Sequence, residues 1–232
     1  PLGRSSAASD VYKRQIDTGI EENILVIGDS SGKSTLLRNM IHRISEGIPP
    51  SDAKLLVIDY RRQLLGECPA THLAGYASTK QDVQEFISQL VPLLESRMPA
   101  GVDDPQTLRD RSWWKGPDIF LVVDDYDLVA TSSGNPLQGL LELLPYGRDI
   151  GLHMVVARRC TGFSRTSFEP IMARLRELHP TIFLMSGTAE EGIIAGGRKA
   201  RSLSKGRADV ISNQGTHQVV QFAHHVGEEK TE

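Results

Sequence analysis

The chain has 232 residues, 39% of them hydrophobic and 24% charged, with a formal net charge of −3. That is enough apolar material for one large or two small cored domains. No apolar run approaches the roughly 18 residues of a membrane-spanning helix. Cys68 and Cys160 stand far apart without metal or redox spacing, so they read as reduced thiols of a cytosolic protein and exclude a disulfide framework. The slightly acidic balance argues against a broad electrostatic footprint for nucleic acid.

Residues 1–15 lack apolar periodicity and read as a tag, an artefact or a disordered start, outside the fold. After them, short β-branched apolar runs recur at residues 24–27, 55–58, 119–123, 153–157 and 181–185, the pattern of strands buried on both faces. Helical patterns lie between them. Residues 33–46 follow the first strand, and 79–97 place Val83, Phe86, Ile87, Leu90 and Leu94 on one face. Further helices are expected over 136–147 and 168–178, the first opening on proline. Alternation of this kind predicts an α/β fold with a mainly parallel sheet and helices on both faces. Residues 208–211 and 217–223, joined by Asn213-Gln-Gly215, predict a C-terminal β-hairpin, and 224–232 form a charged tail.

The sharpest chemical signal is Gly28-Asp29-Ser30-Ser31-Gly32-Lys33-Ser34-Thr35, set between a buried strand and an amphipathic helix. Small residues there let successive amides turn inward around phosphates, and the helix start adds free N–H groups and its positive dipole end. Lys33 would reach the β- and γ-phosphates of ATP, and the Ser34 hydroxyl would ligate Mg²⁺. The pattern departs from the usual P-loop, which has four residues between its glycines. Gly28 and Gly32 enclose three, so one amide of the cradle is missing or Ile27 takes the first position.

The second signal is the apolar run 119–123 ending in Asp124-Asp125. In P-loop ATPases such a strand lies beside the phosphate loop, its first acid holding the Mg²⁺ shell and its second orienting the attacking water. Asp124 fits the metal role and Asp125 the catalytic one, alongside Lys33. Asp125 stands where active motors usually carry the longer glutamate, which implies slow hydrolysis.

Weaker signals remain open between functional and plain structural readings. Arg158 and Arg159 could sense a γ-phosphate, contact a neighbouring subunit, or simply close a strand. His153 lacks ligand-spaced partners and reads as a packed histidine. Asp59-Tyr-Arg-Arg62 follows the second strand at the edge where ligands of open parallel sheets bind, and could face a base, serve an interface, or form a solvated turn. Arg198, Lys199, Arg201, Lys205 and Arg207 could contact phosphate or nucleic acid, yet no aromatics interleave them and a solvated loop is the commoner explanation. Trp113-Trp114 could anchor a partner or bury an indole in the core.

Together these residues resemble the FtsK/SpoIIIE class of RecA-like P-loop NTPases, and most of all the C-terminal ATPase domain of EccC-type type VII secretion proteins. The resemblance rests on residues 28–35, 59–62, 121–130, 134–136, 148–153, 157–159 and 186–187, and extends over residues 16–223 as one ATPase domain. DNA-translocating members usually read Ala-Thr-Gln-Arg-Pro where this chain has Ala157-Arg-Arg-Cys-Thr161, a departure that favours the secretion branch over the alternative of a DNA-translocating motor. The resemblance implies an ATP-binding domain with weak or partner-dependent hydrolysis. It also implies a membrane-anchored parent on the cytoplasmic side of a bacterial plasma membrane, with further ATPase domains in the same chain. The implied partners are secreted helical-hairpin proteins recognised through a C-terminal signal, with no nucleic acid and with oligomerisation left open.

Overall fold

The computed structural model describes residues 23–101, 104–166, 168–212 and 214–222. The expected tag at 1–15, the tail at 224–232, and Asn213 and Ala223 of the hairpin lie outside the described residues.

Strand β1 (Ile24–Ile27) runs into helix α1 (Lys33–Gly47), followed by β2 (Ala53–Ile58) and β3 (Leu73–Ala77). Helix α2 (Lys80–Glu95) and the short α3 (Pro105–Asp110) precede β4 (Asp118–Val123) and a single turn, α4 (Tyr126–Val129). Next come α5 (Gly147–Ile150), β5 (Leu152–Arg158), α6 (Phe163–Thr166), α7 (Pro170–Glu177) and β6 (Thr181–Leu184). The chain closes with β7 (Ile193–Ala195), β8 (Arg198–Lys199), β9 (Arg207–Ile211) and β10 (His217–Gln221).

Eight strands form one sheet in the order β10-β9-β6-β1-β5-β4-β2-β3. The six from β6 to β3 are parallel, whereas β9 and β10 join antiparallel at the β6 edge, so the terminal hairpin is part of the main sheet. Alternate residues of each central strand serve opposite cores. Leu25 and Ile27 of β1 join the layer under α2 and α7, and Val26 joins the layer under α1. Burial on both sides is why these runs are continuously apolar. Helix α1 presents Leu36, Leu37, Met40, Ile41 and Ile44 to its layer, one stripe at helical spacing.

Several elements differ from the sequence reading, among them the unexpected short α3, α6, β7 and β8. Residues 136–147 do not form one helix; they make two 3₁₀ turns, Pro136–Leu140 and Leu144–Tyr146, before α5. Pro145 has no N–H to continue an α-helix, and Gly139 sits so close to α2 that a Cβ there would come 3.2 Å from Val91. The expected 168–178 helix starts at Pro170, because Glu169 turns its carboxylate onto the Ile171 and Met172 amides as a cap. Strand β3 was unforeseen. It is an edge strand of Leu-Ala-Gly-Tyr-Ala, only half-buried, and Gly75 leaves room for the Phe86 ring.

At the N-terminal ends of β4 and β5, remote from the loop at the end of β1, the weaker signals find structural work. His153 is buried, stacks on Phe120 at 4.7 Å and contacts Asp118 Oδ2 at 2.9 Å, a packed histidine as expected. Trp113 and Trp114 donate their indole N–H groups to the carbonyls of Arg97 and Asp149, and Arg97 lies 4.1 Å over the Trp114 ring. Both indoles are therefore used inside the fold.

Burial acts to raise the Asp118 carboxyl, but hydrogen bonding and charge from His153 and Arg111 hold it below the ordinary carboxylate range. Its contribution to stability is complete above the unfolded-state value and disappears as pH falls through the lower folded value. Urea unfolding across a pH series should show that acid-side loss in the wild type. Asp118→Asn should lose about 1–2 kcal/mol at pH 7 and lack that part of the slope.

Candidate nucleotide-binding site

The loop between β1 and α1 is built by two glycines and a serine. Gly28 lies behind it, where a Cβ would come 2.5 Å from Ser31 Oγ and 2.7 Å from Met185 Cβ, so only glycine fits. Ser30 (φ 47°) and Gly32 (φ 99°) take left-handed conformations that fold three intervening residues into a tight turn. Ile27 is the last residue of β1, paired with Arg158 and Leu184.

The loop is tethered on both sides. Gly28 N–H donates to Arg158 O and Asp29 N–H to Ser186 O, extending strand-like bonding past β1. The Asp29 carboxylate accepts from the amides of Cys160 and Thr161 and from the Thr161 hydroxyl. Gly206 donates its N–H to Ser31 O from the start of β9. The Gly28 and Asp29 amides are thereby committed within the fold, while residues 29–35 line the cavity. No side chain caps α1, whose first i to i−4 bond is Leu36 N–H to Gly32 O. The amides of Lys33, Ser34 and Thr35 thus have no partner within the helix. The Ser31 hydroxyl is buried and lacks a hydrogen-bond partner.

The acidic pair reaches this loop from β4, which is not the neighbour of β1: β5 lies between them. Ser34 Oγ nevertheless donates to Asp124 Oδ2 at 2.6 Å. Asp124 is almost fully buried, and burial pushes its carboxyl up, opposed by the Ser34 hydrogen bond and aided by the charge of Asp125. Asp125 adopts left-handed backbone (φ 46°, ψ 56°) and donates its N–H to Asp124 Oδ1. Its own carboxylate lies 3.9 Å from Lys33 Nζ and 3.2 Å from Arg61 Nε.

These groups surround a cavity of about 520 Å³ lined by residues 29–35 together with Arg61, Gln63, Asp125, Asp127, Leu128 and Arg159. Of the two arginines ending β5, only Arg159 lines it. Arg158 is buried and binds Asp127 Oδ1 at 2.9 Å and the Thr166 hydroxyl, so it braces α4 against α6. Asp127 also accepts the Arg159 amide. Sequence reasoning assigned Asp127, Gln63 and Leu128 no role; the signal was the third acid of Asp124-Asp-Tyr-Asp127, one short turn beyond the pair. Arg61 is the member of the 59–62 segment that turns to the cavity. Asp59 is buried and organises the bend, accepting from the Arg61 and Leu64 amides and the Tyr76 hydroxyl. In the basic run, Arg201 pairs with Asp209 and Arg207 with Gln221, away from the cavity.

Comparison with known proteins decides the family. The chain is 46% identical over 209 residues to the ESX-4 secretion system protein EccC4 of Mycobacterium tuberculosis, which covers 90% of this chain. It is 39% identical over 226 residues, 97% of its length, to the ESX secretion system protein EccC of Thermomonospora curvata. The chain belongs to the EccC family of type VII secretion ATPases. It spans 17% of the length of each of these two relatives. The cytoplasmic domain of the Thermomonospora curvata EccC superposes with a TM-score of 0.86 at 39% identity, over 91% of this chain and 24% of that one. A structure described as EccC ATPases 2 and 3 in complex with a signal sequence peptide matches with a TM-score of 0.86 over 91% of this chain and 38% of its own. No family model matches the chain. The EccC-type domain is thus an α/β P-loop ATPase unit, a nucleotide-binding fold. No described helix is long and apolar enough to cross a membrane.

Gly28→Ala should force Ser31 or Met185 to move and cost about 1–3 kcal/mol of stability, the usual range for overpacking. Chemical denaturation of both proteins checks this.

Proposed function

We propose that this EccC-type domain binds ATP with Mg²⁺ in the cavity at the C-terminal ends of the parallel strands, and turns it over slowly. One observation carries the reading: Ser34 Oγ and Asp124 Oδ2, from elements 90 residues apart, meet at 2.6 Å beside Lys33. A hydroxyl and a buried carboxylate brought together next to a lysine are a hard-oxygen donor set suited to a hydrated Mg²⁺. The uncapped start of α1 and the orphaned Ser31 hydroxyl fit an anion in the loop. Lys33, with the amides of Ser30 to Thr35, would hold the phosphates, and Ser34 with Asp124 would hold the metal.

When bound, Mg²⁺ supplies neutralisation of phosphate charge. Asp125 is the residue placed to accept a hydrogen bond from water, but its carboxylate already faces two cations, Arg61 at 3.2 Å and Lys33 at 3.9 Å. Its short side chain and this pairing support slow hydrolysis by the domain alone. At the level of the parent protein, the domain serves export. It acts as the C-terminal ATPase domain of a membrane-anchored type VII secretion ATPase on the cytoplasmic side, contributing to recognition of helical-hairpin substrates through a signal peptide. The signal-peptide complex of the Thermomonospora curvata relative supports this. A DNA motor is disfavoured, since Arg201 and Arg207 of the basic run are already engaged by Asp209 and Gln221.

Calorimetry should detect Mg-ATP binding to the wild type and its loss in Lys33→Ala. Single-turnover hydrolysis should run well below the roughly 1 to 10³ per second of ordinary enzymes. Absence of nucleotide binding by the wild type would overturn the reading, and turnover in the ordinary range without a partner would overturn the slow-hydrolysis part.

A further inference from the structure

Arg61 is held in an unusual way. Its backbone is fixed, because the buried Asp59 carboxylate accepts the Arg61 and Leu64 amides at 3.2 and 2.6 Å, and the Tyr76 hydroxyl locks the same carboxylate at 2.8 Å. The next residue, Arg62, is in left-handed conformation (φ 57°), which turns the chain sharply at that point. The Arg61 side chain, by contrast, is 61% exposed and reaches across the cavity to a single acidic partner, Asp125 Oδ2, at 3.2 Å. The result is a solvent-facing cation on a hydrogen-bonded bend.

The other cavity-lining arginine is built differently. Arg159 has its own amide bonded to Asp127, and its guanidinium stays 3.8 Å from that same carboxylate, which the buried Arg158 already occupies. Arg159 therefore leans on an acid bound elsewhere. Arg61 instead neutralises Asp125, the acid adjoining Asp124 and facing Lys33.

Resting on the nucleotide reading above, we propose that Arg61 is a specificity-determining residue that distinguishes nucleoside triphosphate from diphosphate. In this structure it rests on Asp125. With a triphosphate in the loop, Arg61 leaves Asp125 for the terminal phosphoryl oxygens. A planar guanidinium makes paired hydrogen bonds to phosphate oxygens, and a terminal phosphate carries more charge than the carboxylate it replaces. The exchange also strips one cation from Asp125, so the acid is released only when a terminal phosphate is present. A diphosphate held by the loop amides and Lys33 leaves Arg61 on Asp125.

The test is calorimetry in Mg²⁺ with ADP and a slowly hydrolysed ATP analogue, on wild type, Arg61→Ala, Arg61→Lys and Arg159→Ala. Thermal unfolding without nucleotide reports on the fold. Arg61→Ala should weaken the triphosphate analogue about tenfold while ADP affinity changes less than about twofold. Arg61→Lys should recover part of the loss, and the nucleotide-free midpoint should stay near that of the wild type. Equal losses for both nucleotides, no loss for either, or a gain for the analogue in Arg61→Ala would overturn the assignment. So would a triphosphate-selective loss confined to Arg159→Ala. Failure of the wild type to bind either nucleotide would instead remove the underlying nucleotide reading, so the two failures are told apart.

Discussion

The hydrogen bond from Ser34 to Asp124 is the contact on which the site depends. It ties the first turn of α1 to the end of β4 although β5 separates β4 from β1. Asp124 is almost fully buried, and a carboxylate there is tolerated because the Ser34 hydroxyl and the Asp125 amide each donate to one of its oxygens. Burial still pushes its carboxyl up, against the lowering effect of the Ser34 hydrogen bond.

Around that contact the fold uses carboxylates as fasteners for backbone. Asp29 gathers the Cys160 and Thr161 amides, Asp59 those of Arg61 and Leu64, Glu169 those of Ile171 and Met172, and Glu191 those of Gly162 and Ser164. Each fixes a turn or a helix start at the C-terminal ends of the parallel strands, where bends are sharp and few backbone groups can pair with one another. Glu169 extends the pattern, because it also accepts from the buried Tyr126 hydroxyl and from Asn135. The turn after the acidic pair is thereby joined to α7. Many of the acids behind the negative net charge are in this way parts of the architecture.

The terminal hairpin has a related effect on the basic segment. β9 pairs with β6, and Asp209 on it is buried with Arg201 and His217 as partners. The backbone of Gly206 reaches back to Ser31 O, so the last strands also support the phosphate loop. A run that looks like a binding patch is partly consumed in closing the sheet edge.

The sequence by itself determined the sheet and the loop. Continuous apolar runs, a Gly-Ser loop before an amphipathic helix, and an acidic strand end are local patterns whose physics is carried by adjacent residues, and the strands and α1 lie where those patterns place them. It did not reveal the small β7–β8 pair, nor β3, whose small residues make a weak edge strand legible only once Phe86 packs over Gly75. Nor could it show that Pro145 and the close approach at Gly139 would break residues 136–147 into 3₁₀ turns, although the proline was in view. The division of labour among the charged residues was decided by tertiary structure alone. Arg158 and Arg159 are neighbours with the same chemistry, yet Arg158, the last residue of β5, is buried against Asp127 and Thr166, and only Arg159, just past the strand, reaches the cavity. Arg61 and Asp127 became site residues for the same reason, because charge acts through space and the partners that fix its role come from distant segments.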